Sequence, residues 1–84
     1  MGATVTKRNP IAEAFGIVLR NARTAAGLSQ EQLGLACGID RTYVSLLERG
    51  LRQPTLTTIF LVAKHLRVSP AELVILTGKM AAPR

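Results

Sequence analysis

Hydrophobic positions along this chain recur at three- and four-residue intervals, and strand-like alternation is found nowhere. Asn9-Pro10 sets a capping side chain before a first-turn proline. The stripe Ile11, Phe15, Val18, Leu19 and Ala22 then predicts a helix to about Ala26, ahead of Gly27. Ser29, with Gln32 three residues on, forms a capping-box signature for a second helix that Gly38 ends. Asp40 caps a third, which Arg49-Gly50 closes. Thr55 after Pro54 opens a fourth, with Leu56, Ile59, Phe60, Ala63 and Leu66 as its expected core face. Ser69-Pro70-Ala71-Glu72 combines cap, first-turn proline and capping box for a fifth, which Gly78 is expected to end. Leu28 with Leu33, Ile39 with Val44, and Val68 with Leu73 each flank a cap at hydrophobic-staple spacing. These local signals agree on one all-α bundle of five helices, expected over residues 9–78 with short tails at 1–8 and 79–84.

Composition narrows what such a bundle does. Hydrophobic residues make up 48% of the 84-residue chain and charged residues 19%, too apolar a balance for disorder. Eleven Lys and Arg against five Asp and Glu give a net charge of +6, which favours an anionic partner, nucleic acid before membrane surface. The basic residues are spread over several helices, which disfavours a membrane-surface helix, and no apolar run is long enough to span a bilayer. A single cysteine, Cys37, and a single histidine, His65, argue against a protein-built metal site, and no cofactor is expected. There is no His-centred dyad, workable carboxylate pair or phosphate-binding glycine loop, so enzyme chemistry is not expected. The start, MGATVTKRN, lacks the apolar run of a signal peptide, and a cytoplasmic location is expected.

The stretch SQEQLGLACGIDRTYVSLLERG, residues 29–50, pairs a short helix with a glycine turn and a second helix that starts on polar residues. Together with LRQPTL after it, this stretch resembles the Cro and lambda-repressor-like (XRE-type) helix-turn-helix family over roughly residues 15 to 76. The RTYVS string is similar to the recognition helix of restriction–modification controller proteins within that family. The resemblance implies a compact five-helix lambda-repressor-like bundle with its helix-turn-helix in the second and third helices. Gly34 falls where those two pack closely, and Gly38 at the turn, where a positive φ is expected. Cys37 falls on the apolar face and is read as a small buried hydrophobe.

By the same resemblance, Gln30 hydrogen-bonds a phosphate and braces the recognition helix. Arg41 and Thr42 reach base edges, where Arg pairs with guanine and the Thr methyl touches thymine. Tyr43 and Ser45 are expected at phosphates or the edge of the footprint, with the Tyr43 ring alternatively packed on the second helix. Leu46 stands where relatives often carry a polar base reader, and Arg52 and Gln53 are placed to grip the DNA backbone. Arg23 and Glu48 match a largely buried structural ion pair that joins the first and third helices. Arg20 and the tail residues Lys7 and Arg8 are further candidates for backbone contact, solvation being the plainer reading. At Arg67 the family usually has a left-handed glycine, so a slightly rearranged turn is expected.

Leu61 and Ile75 point away from the expected core faces, and Leu51 sits in a loop. The resemblance turns them into a homodimer interface built from the fourth and fifth helices. The function implied is a sequence-specific transcriptional regulator that binds double-stranded DNA at a near-palindromic operator. No small-molecule ligand is expected, and control would come from concentration, dimerisation and operator arrangement. The competing reading is an antitoxin-like protein-interaction module whose bundle covers a partner protein.

Overall fold

Each helix begins on the side chain the sequence sets there. In the computed structural model, which describes residues 9–82, α1 spans Pro10–Ala25, α2 Gln30–Cys37, α3 Arg41–Glu48, α4 Leu56–Leu66 and α5 Pro70–Ala81. Asn9 accepts hydrogen bonds from the N–H groups of Ile11 and Ala12, both at 3.1 Å. Ser29 Oγ takes the Gln32 N–H at 3.0 Å while Gln32 Oε1 takes the Ser29 N–H at 2.8 Å, a complete capping box. Asp40 accepts from Thr42 N–H at 2.8 Å, Thr55 from Thr58 N–H at 3.0 Å, and Ser69 from Glu72 N–H at 2.9 Å. Each cap of this kind is worth about 1 kcal/mol.

The helices enclose one core. Leu19, Leu33, Val44, Leu47, Val62 and Leu73 are its largest fully buried side chains, joined by Phe15, Val18, Cys37, Ala63 and Leu66. All three staple pairs lie in or against this core. α1 packs along α5 and α3, and α2 packs on α3 and α4. No strand occurs among the described residues.

Five expectations are corrected. On α4 the core face is Thr58, Val62, Ala63 and Leu66, while Leu56 and Phe60 are exposed, at 71% and 60%. The Thr55 hydroxyl, 2.9 Å from that of Thr58, lets a threonine occupy the core side. Leu61 is half-buried and packed against the core rather than pointing away from it. On α1, Ile11 is exposed and its stripe starts instead at Ala12.

Gly78 does not end α5, which runs on to Ala81 and so takes up part of the expected tail. A glycine inside a helix costs only about 1 kcal/mol. The stop falls at Ala82, which is extended (φ −61, ψ 138), as a residue ahead of a proline is driven to be. The turn at Arg67 keeps its left-handed form (φ 62, ψ 38) and is not rearranged. Val68 N–H reaches Ala63 O at 3.1 Å, the closing bond of a Schellman motif, and this holds Arg67 in place.

Candidate nucleic-acid interface

Gly38 (φ 71) is the left-handed cap of α2, and Ile39 N–H closes the turn on Gly34 O at 2.9 Å. A Cβ on Gly34 would stand 2.7 Å from Ile39 O, so the close approach of α2 to the start of α3 requires glycine here. A second close approach lies at Gly16 of α1, where a Cβ would stand 2.5 Å from Leu47 O and 2.6 Å from Glu48 O. α1 therefore lies directly against the last turn of α3.

That last turn carries the expected ion pair. Arg23 Nε donates to Glu48 Oε2 at 2.5 Å and Nη2 to Oε1 at 3.0 Å, with the two side chains only 10% and 3% exposed. The hydrogen bond to Glu48 holds the Arg23 guanidinium above its ordinary pKa despite its burial. Arg23 Nη1 reaches Leu28 O at 2.8 Å, just before the α2 cap, so one guanidinium ties α1 to both helices of the pair. Gln30 Nε2 donates to Glu48 Oε1 at 3.0 Å, a brace from the first residue of α2 to the last of α3. Sequence reasoning assigned Gln30 a bracing role without naming its partner.

Val44, Leu47 and Glu48 bury one side of α3, and Tyr43 is half-buried against the core. Tyr43 is thus partly covered by the core and partly open to solvent. Arg41 and Thr42 are exposed at the helix start, and Ser45 and Leu46 are half-buried. Arg49, exposed, stands seven residues after Thr42 on the same stripe. Its spacing from Thr42 and Ser45 was the available signal, and sequence reasoning used it only as a helix terminator. Arg52 and Gln53 are exposed in the loop after α3, and Gln53 lines a shallow groove with Ile11, Pro54, Ile59 and Val74. Arg20 is exposed on α1, whereas Lys7 and Arg8 lie outside the described residues.

Cys37 is buried with Sγ 3.9 Å from Leu61 O, and burial pushes its thiol pKa up, as suits an inert core residue. Ile75 is 56% exposed. Two apolar grooves flank α5. One, of about 600 Å³, runs between α1 and α5 past Val18, Ala22, Leu76 and Met80. The other, of about 540 Å³, lies between α4 and the start of α5, lined by Phe60, Leu61, Lys64, Val68 and Pro70. No described helix is long and apolar enough to cross a membrane.

Comparison with known proteins places this geometry. A helix-turn-helix family model, HTH_3, matches residues 19–73. The control protein C.BamHI of Bacillus amyloliquefaciens is 39% identical over 66 residues, which covers 77% of this chain and 82% of that protein. The crystal structure of the restriction–modification controller protein C.AhdI from Aeromonas hydrophila shares 47% identity at a TM-score of 0.71, covering 74% of this chain and 94% of that one. The controller C.Esp1396I, in a nucleoprotein complex, shares 28% identity at a TM-score of 0.75, covering 88% of this chain and 96% of that one. This chain belongs to the XRE-type helix-turn-helix family of DNA-binding transcription regulators.

Proposed function

We propose that this protein binds a near-palindromic operator as a homodimer and regulates transcription by occupying it. The observation that carries the reading is the outward side of α3. Arg41 and Thr42 are exposed there and Ser45 and Leu46 half-exposed beside them, on a helix whose opposite side is locked by Val44, Leu47 and the buried Arg23–Glu48 pair. A short rigid helix with polar groups at its exposed start fits a major groove. Arg41 is the guanine reader and Thr42 the thymine-methyl contact, with Ser45 and Leu46 at the edge of the footprint. Tyr43 offers only its hydroxyl, and Gln30, Arg52 and Gln53 contact the backbone.

The dimer reading draws on the exposed apolar residues of the C-terminal helices. Leu56 and Phe60 on α4, with Val74 and Ile75 on α5, are each at least half exposed. A two-fold pairing that hides them supports recognition helices about one DNA turn, roughly 34 Å, apart. Leu61, half-buried, contributes to this face only through its edge along the α4 groove. The likeness to C.Esp1396I, solved in a nucleoprotein complex, and to the controllers C.BamHI and C.AhdI favours the same reading. Arg41→Ala tests it by anisotropy titration of operator DNA. The expected loss is about 1–3 kcal/mol with relaxed preference at one base pair. Unchanged affinity and base preference would remove α3 as the reading helix.

A further inference from the structure

The Arg23–Glu48 pair has a third member whose position bears on DNA binding. Glu48 Oε1 accepts from Arg23 Nη2 and from Gln30 Nε2, both at 3.0 Å. A carboxylate only accepts, so the contact fixes which end of the Gln30 carboxamide turns inward: the nitrogen. One Nε2 proton is spent on Glu48 and one remains. Gln30 is the first residue of α2, half-buried, in the turn whose backbone N–H groups and helix dipole favour an anion.

We propose that Glu48 is a positioning residue for DNA binding, holding the Gln30 carboxamide so that its second Nε2 proton is presented to a DNA phosphate. The inference rests on the reading of α2 and α3 as the DNA-binding face. Two physical effects support it. A glutamine already anchored by one proton has fewer rotamers to lose when it grips a ligand. A lone carboxylate beneath a phosphate would repel it, but Arg23 covers both oxygens of Glu48, so the anchor carries little uncompensated charge. The ion pair thereby serves the fold and the phosphate contact with one carboxylate.

The test compares Gln30→Ala, the paired variant Arg23→Met/Glu48→Met, their triple combination and, as a reference for the face, Arg52→Ala, titrated against a mixed-sequence DNA duplex at low salt and melted in parallel. The paired variant removes the anchor without leaving a buried charge alone, and such apolar replacements commonly keep the fold. Gln30→Ala is expected to weaken binding about tenfold, the scale of a hydrogen bond to a charged group, with the salt slope unchanged because no cation is lost. The folded paired variant is expected to weaken binding by a similar factor, and to add no more than about twofold once Gln30 is alanine. Native affinity in the folded paired variant, or full additivity in the triple, would overturn the proposal. If Gln30→Ala binds normally while Arg52→Ala binds weakly, this inference alone falls; if both bind normally, the DNA reading of the face falls with it. Should the paired variant not fold, exchange of the Gln30 side-chain protons in the native protein decides. One proton protected without DNA and the second gaining protection with it supports the proposal, and two unprotected protons in both states overturn it.

Discussion

The guanidinium of Arg23 in α1 grips both carboxylate oxygens of Glu48, the last residue of α3, at 2.5 and 3.0 Å, with both side chains nearly out of solvent. Removing one partner leaves the other charged, buried and unpaired. Glu48→Ala should therefore cost about 3–5 kcal/mol, read from the shift of a urea midpoint. A loss under 1 kcal/mol would mean that water already solvates the pair.

Arg67 sits in a left-handed conformation (φ 62) that glycine adopts without penalty. Arg67→Gly should stabilise the fold by roughly 1 kcal/mol, raising Tm by about 4–8 °C in a domain of this size. DNA affinity should not change, since Arg67 lies at the turn between α4 and α5 and not on the α3 face. A lower Tm would show that its side chain makes up the backbone cost elsewhere.

Gly16 faces backbone, not a yielding side chain. The 2.5 and 2.6 Å approaches to Leu47 O and Glu48 O leave no room for a methyl group unless α1 and α3 move apart. Gly16→Ala should destabilise by about 1–3 kcal/mol, the scale of overpacking, despite alanine's better helix propensity. The same shift would disturb Glu48, so DNA binding should weaken as well. A stabilised variant in a thermal melt would refute the close approach.

Phe60, 60% exposed on α4, is the largest apolar group available to a partner copy. Phe60→Asp should yield a folded monomer by native mass spectrometry and weaken operator binding, because two half-sites would no longer be held together. A monomeric mass for the native chain at micromolar concentration would remove the dimer.

What was legible in the sequence was local. Asn9, Ser29, Asp40, Thr55 and Ser69 each cap through contacts two or three residues away, so the five helix starts could be read directly. The face of α4 could not. Leu56, Ile59, Phe60, Leu61, Val62 and Leu66 place apolar groups around much of that helix, and only packing selects Val62 over Phe60 for the core. Gly78 reads as a stop but sits inside a helix that the residue before Pro83 ends. Of the candidate site, the polar start of α3 and the Arg23–Glu48 pair were readable through family resemblance. The Gln30–Glu48 bond spans 18 residues and the Gly16 approach joins α1 to α3, contacts that no local spacing encodes.

The central claim, that α3 reads DNA sequence with Arg41 and Thr42 foremost, is tested most directly by in vitro selection of DNA sites with the native protein and with Arg41→Ala. The account predicts enrichment of a near-palindromic site with half-sites about one helical turn apart. It also predicts that Arg41→Ala loses preference at one base pair per half-site while keeping the rest. No enrichment by the native protein even at low salt would contradict it.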